Sequence, residues 1–73
     1  MIGIIRIYPN PVKDFLYFDT IENIKSARFY NSLGQLVKET KDKKIDFRNF
    51  KSGVYILQLN TDNQIINKRI IKK

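Results

Sequence analysis

The chain predicts an all-β fold, a small antiparallel β-sandwich of about seven short strands. Three observations predict it. Apolar residues recur at every second position in short runs, the period of a strand with one face inward. Turn chemistry separates those runs about every ten residues: Pro9-Asn10-Pro11, Asn31-Ser32-Leu33-Gly34, Ser52-Gly53 and Thr61-Asp62-Asn63-Gln64. No stretch carries the amphipathic period of a helix longer than one turn.

The first run, Ile4-Ile5-Arg6-Ile7-Tyr8, stops at two prolines. Pro9 and Pro11 fix φ and donate no amide hydrogen, so neither fits inside a ladder. Asn10 between them is held extended, with a side-chain amide able to bond backbone groups that the prolines leave unpaired. The segment reads as a rigid corner. Phe15 to Phe18 forms the second strand, and residues 19–23 a polar turn. From Ile24 to Asn31 the alternation turns Ala27 and Phe29 inward and Ser26, Arg28 and Tyr30 outward. Gly34 then takes the left-handed conformation that closes a hairpin, and the chain returns through residues 35–40.

Lys43 to Phe47 is a short strand with Ile45 and Phe47 on one face, and residues 49–53 turn tightly at Gly53, whose φ is expected to be positive. Val54 to Asn60 is apolar on both faces, which predicts a central strand covered on both sides. Within it, Tyr55 packs against its neighbours and needs one hydroxyl partner. Thr61 to Gln64 makes the last turn through Asp and Asn in left-handed backbone, and Ile65 to Lys72 closes the fold. No repeat, linker or low-complexity tract interrupts residues 1–73, which read as one domain with no internal boundary.

Composition excludes much chemistry. The 73 residues include no cysteine and no histidine, so disulfides, thiol nucleophiles, imidazole proton shuttles and the usual zinc ligands are all missing. Asp14, Asp19, Glu22, Asp46 and Asp62 are scattered over turns and strand ends, where carboxylates ordinarily shape turns. No catalytic residue, metal ligand or cofactor site is expected, and the enzyme reading is set aside. Stability of about 4–10 kcal/mol suits a chain of this size. No run approaches the roughly 20 apolar residues that span a bilayer, so stable membrane insertion is not expected. Arg6 interrupts the apolar start, and no small-residue cleavage site follows, unlike a signal peptide.

The net charge is +7, an excess that suits anionic partners. Between residues 38 and 51 the cations are diluted by Glu39, Asp42 and Asp46. Lys68, Arg69, Lys72 and Lys73 follow Asp62 with no further acid. One alternative is a small basic β-domain that binds nucleic acid by stacking on Tyr8, Tyr17, Phe29 and Tyr30, or that binds a surface glycan. Against it, lysines interleave with acids, no aromatic–basic stripe recurs and tryptophan is absent, so nucleic acid is not expected as a partner.

Four motifs occur in order: Tyr8-Pro9-Asn10-Pro11, Asn31-Ser32-Leu33-Gly34-Gln35-Leu36-Val37, Ile45-Asp46-Phe47-Arg48-Asn49-Phe50-Lys51-Ser52-Gly53-Val54-Tyr55, and Lys68-Arg69-Ile70-Ile71-Lys72-Lys73. Together, from about Ile7 to Lys73, the chain resembles the C-terminal sorting domain of the type IX (Por) secretion system in its type A form. The resemblance implies a non-catalytic tag at the end of a larger secreted or surface protein of Gram-negative bacteria. It would fold in the periplasm as an immunoglobulin-like β-sandwich and direct its cargo across the outer membrane, leaving it secreted or at the cell surface. The implied partners are the type IX translocon, an outer-membrane shuttle protein and a sortase-like surface peptidase. That peptidase would cut just before the Pro-Asn-Pro segment, at a site either truncated away here or close to residues 2–5, often joining the cargo to lipopolysaccharide. Phe47 and Phe50 stand where the family more often has leucine.

On this reading Lys68, Arg69, Ile70, Ile71, Lys72 and Lys73 are the partner-binding residues. A terminal edge strand has spare backbone groups to offer a receptor by strand addition. Ile70 and Ile71 would enter apolar pockets, while Lys68, Lys72 and Lys73 meet carboxylates at the rim. Pro9, Asn10, Pro11, Gly34, Gly53 and Tyr55 are expected to serve the architecture.

Overall fold

Period-2 alternation requires each strand to bury one row of side chains, and the chain does so by facing two sheets against each other. A computed structural model describes residues 4–73, in which seven strands form two antiparallel sheets. The strands are β1 (Arg6–Tyr8), β2 (Phe15–Asp19), β3 (Ile24–Tyr30), β4 (Leu36–Thr40), β5 (Lys44–Asp46), β6 (Gly53–Thr61) and β7 (Ile65–Lys72). One sheet has the order β1-β2-β5, the other β4-β3-β6-β7.

Between the sheets lie Leu16, Phe18 and Ile45 from one side and Ala27, Phe29, Leu57, Leu59 and Ile70 from the other. An aromatic cluster fills one end. Phe47 meets Phe29 edge-on at 5.2 Å and Phe50 at 4.4 Å, and Tyr55 lies 5.3 Å from Phe50. Each buried aromatic removes a large apolar area from water, and the edge contacts add to it.

Three local expectations are corrected. Strand β6 is central within its sheet, between β3 and β7, but only one face is covered. Its Tyr55, Leu57 and Leu59 are buried, whereas Val54 and Ile56 are exposed. Two layers leave the outside of each sheet to solvent, so an apolar outer face does not imply a third layer.

The turn from Thr61 to Gln64 uses no left-handed residue, because among the described residues only Gly34 and Gly53 have positive φ. The Thr61 hydroxyl shapes it instead, accepting from the backbone N–H groups of Asn63 at 3.2 Å and Gln64 at 3.0 Å. Glu22, expected only to shape its turn, is buried. Its carboxylate accepts from the Thr61 hydroxyl at 2.7 Å and from Gln64 Nε2 at 2.7 Å, fastening the β2–β3 loop to the β6–β7 hairpin.

The other hairpin follows expectation. Gly34 sits at φ 79°, and Asn31 Oδ1 accepts from the backbone N–H of Leu33 at 2.9 Å and of Gln35 at 3.0 Å. At the end of β5, Arg48 holds Asp46 through Nε at 3.0 Å and Nη2 at 2.9 Å, and the Arg48 backbone N–H adds a bond of 2.9 Å. Hydrogen bonding to the ionised form lowers the Asp46 pKa from 3.8 to about 2.

Phe47→Ala empties the centre of the aromatic cluster. Its expected cost is about 3–5 kcal/mol, against roughly 1–2 for Phe47→Leu, read from urea midpoints. Because the Asp46 pKa is depressed in the folded chain, the favourable contribution of its carboxylate is complete above 3.8 and is lost as pH falls towards about 2. A carboxyl NMR titration checks this: Asp46 should titrate near 2, and Arg48→Gln should return it towards 3.8.

Candidate functional site

Motifs far apart in sequence meet at one end of the four-stranded sheet. Gly53 pairs with Lys72, Val54 with Ile71 and Tyr55 with Ile70, which sets the start of β6 beside the end of β7. Tyr30 pairs with Ile56 on one side and Leu36 on the other, bringing the β3–β4 hairpin to the same end. A groove of about 430 Å³ opens there, lined by Asn31, Val37, Asn49, Phe50, Lys51 and Tyr55.

The local sequence builds this end by specific means. The Tyr55 hydroxyl donates to the Lys51 carbonyl at 2.6 Å, anchoring the turn to the strand it launches. Gly53 has φ 152°, an angle L side chains rarely adopt, and nothing lies within 4 Å of where a Cβ would stand. Backbone geometry therefore requires the glycine here, not a close neighbour.

The proline corner has a second task. Asn10 Nδ2 donates to the Arg69 carbonyl at 2.9 Å, and the Ile71 N–H donates to Asn10 Oδ1 at 2.9 Å. Two residues on, the Val12 N–H donates to the Ile71 carbonyl at 2.7 Å, and the Lys73 N–H donates to the Val12 carbonyl at 2.9 Å. Asn10 thus bonds the last strand, not the backbone beside the prolines, and with Val12 it forms a clasp along the outer edge of β7. Both flanking bonds, Tyr8–Pro9 and Asn10–Pro11, are cis.

Two expectations about the terminal residues change. Ile70 is wholly buried opposite Tyr55, so its side chain belongs to the core and enters no receptor pocket. Adjacent residues on a strand point to opposite faces, so Ile70 and Ile71 cannot both be presented. Ile71 is the outward one. The spare edge is also smaller than expected, because the clasp occupies β7 from Arg69 to Lys73. Lys68, Arg69 and Lys73 are exposed, while Lys72 is half-buried and its Nζ donates to the Lys73 carbonyl at 3.2 Å.

The stacking platform of the alternative reading does not assemble. Tyr8 and Tyr17 stack at 5.7 Å on the three-stranded sheet, Phe29 is wholly buried and Tyr30 faces away on the other sheet. Four of the carboxylates have partners, in separate places: Glu39 with Arg28 at 2.9 Å, Asp46 with Arg48, Glu22 with Thr61, and Asp62 with Asn23 at 3.2 Å. Of the cleavage region near residues 2–5, residues 2 and 3 lie outside the described residues. Ile4 is 84% exposed, and Ile5 packs partly against the core.

Sequence reasoning missed Glu22 and the clasp. An asparagine between two prolines signals a side chain free to bond, but nothing in the sequence names a strand about 60 residues later as its partner.

A family model described as the secretion system C-terminal sorting domain matches residues 6–73. Neither a curated protein nor a solved structure matches the chain.

Asn10→Ala removes two bonds of the clasp. At about 0.5–1.5 kcal/mol net for each hydrogen bond, a loss of about 1–3 kcal/mol is expected. Hydrogen exchange at the Ile71 amide should accelerate well beyond that of the Leu57 amide. Unchanged protection of Ile71 would show that Asn10 does not hold the edge.

Proposed function

The chain belongs to the C-terminal sorting domains of the type IX secretion system, and we propose from that membership how it is read and what becomes of it. Membership makes it a sorting signal of a secreted protein that passes the outer membrane, a targeting tag and not a catalytic domain. On our reading it folds in the periplasm behind a cargo and is delivered to the translocon by an outer-membrane shuttle protein. A sortase-like surface peptidase then removes it.

The observation that carries this proposal is the convergence of the hairpin, the Gly53 turn and the carboxyl end at one end of one sheet. Recognition falls to Lys68, Arg69, Ile71, Lys72 and Lys73, with Ile70 fixing the strand from inside. Exposed charge pairs contribute only about 0–1 kcal/mol each, so the cations govern encounter rate and orientation more than affinity. Removal near residues 2–5 suits the fold, since the cut precedes β1 and Ile4 is exposed.

A periplasmic reporter carrying residues 1–73 at its carboxyl end tests the proposal in a host with the type IX machinery. The reporter should appear outside the cell, and Ile71→Asp combined with Lys72→Glu and Lys73→Glu should leave it in the periplasm. Deleting residues 70–73 is a poorer test, because it also removes a core side chain and half of the clasp. Mass spectrometry of the exported reporter should find it ending within or before residues 2–5. An exported reporter that still carries the tag would discard the peptidase step.

A further inference from the structure

On the premise that the chain is a sorting signal, we infer that its receptor reads a composite apolar surface on the outside of the four-stranded sheet. The free edge and the last residues as a linear peptide are not the primary contact. The receptor surface is a protein ridge of aliphatic side chains flanked by carboxylates.

Two routes to β7 are closed by the fold. The clasp fills the edge between Arg69 and Lys73, so strand addition there must first displace Asn10 and Val12. Ile70 is inside. What the last strand still presents at this end is the outward pair Arg69 and Ile71, and the register extends that pair across the sheet. Ile71 lies beside Val54, and Arg69 beside Ile56. Ile56 lies beside Tyr30, and Tyr30 beside Leu36. Their aliphatic members stay uncovered: Ile71 is 37% exposed, Ile56 41%, Val54 42% and Leu36 51%.

The clustering is local. Further along the same outer face the cross-strand partners are mostly polar, Arg28 with Gln58, Ser26 with Asn60 and Gln58 with Asn67, and Ile65 stands apart at the far end opposite Asn60. An antiparallel sheet with a solvated face normally alternates apolar-in and polar-out, and β6 keeps that rule at Gln58 and Asn60 but breaks it at Val54 and Ile56. Contiguous exposed apolar surface of this kind marks an interaction site.

Charge selects the occupant. Arg69 stands within the patch, Lys73 follows it and Lys51 lines the groove at the same end. Glu39, which shares the face, is held by Arg28 at 2.9 Å. Carboxylates on the partner would complete the surface and suppress binding to basic proteins. A lipid surface fits less well. The exposed groups are mostly short aliphatic side chains on a sheet, and the chain has no tryptophan to settle at a membrane interface.

Export of the reporter fusion tests the inference through Ile56→Glu and the milder pair Leu36→Thr with Ile56→Thr. The control is Ile65→Glu, at an exposed isoleucine at the opposite end of β7. Thermal unfolding of the purified domains confirms which variants fold, and the threonine pair serves if the glutamate variant does not. Export should fall about tenfold or more with Ile56→Glu, and measurably with the threonine pair, while Ile65→Glu stays close to wild type. A photo-crosslinking residue at position 56 should capture a protein during export, and the same residue at position 65 should not.

If the wild-type tag exports the reporter and folded Ile56 variants export it equally well, the inference is overturned and the sorting function stands. If the wild-type tag exports nothing, the sorting function itself fails. Binding of the purified domain to phosphatidylglycerol vesicles that Ile56→Glu abolishes would make the occupant a lipid surface and overturn the protein assignment.

Discussion

A chain of 73 residues has material for two layers of sheet, and that limit decides which of its apolar side chains can be covered. Everything with a place between the layers is buried, down to Leu16, Phe29, Phe47, Leu57 and Ile70. Everything apolar on the outside of β6 stays in water because no third layer exists. The same limit makes the aromatic cluster around Phe47 matter. With no disulfide to supplement the core, a few rings at one end carry a large share of the buried apolar area. Phenylalanine at positions 47 and 50 fits that need, since the two rings pack on each other, and Phe47 also reaches Phe29.

Much of this was legible from periodicity. The inward rows of β3 and β5 follow directly from alternation, as do the hairpin at Gly34 and the break at the prolines. Tyr55 finds the single hydroxyl partner that a buried tyrosine needs. The misreadings share a cause. Val54 and Ile56 looked like the mark of a doubly covered strand, because a run of apolar residues does not say whether its second face meets a layer of the same chain or something else. Glu22 reads in sequence only as a turn former because its donors, Thr61 and Gln64, lie in a different loop. Alternation predicts faces, but pairings between distant loops leave no periodic trace.

The candidate site was legible in its membership more than in its geometry. The terminal cations read as partner-binding and Gly53 and Tyr55 as architectural, and their convergence depends on register: Gly53 opposite Lys72 and Tyr30 opposite Ile56. A shift of one residue would turn Ile71 inward and Ile70 outward. The clasp and the packing of Ile70 together hold that register, so residues with no outward surface of their own govern what the outer surface displays.

The clasp joins an asparagine between two strands of the three-stranded sheet to the last strand of the four-stranded one, across about 60 residues of chain. It closes only when the corner that carries Asn10 and Val12 lies against the edge of β7. Until then the last strand has a bare edge and an uncovered Ile70, the features of a chain that chaperones and proteases capture. The finished domain hides Ile70 and the edge from Arg69 to Lys73. Its final strand therefore shows the outward pair, Arg69 and Ile71, beside a closed edge only when the two sheets are joined.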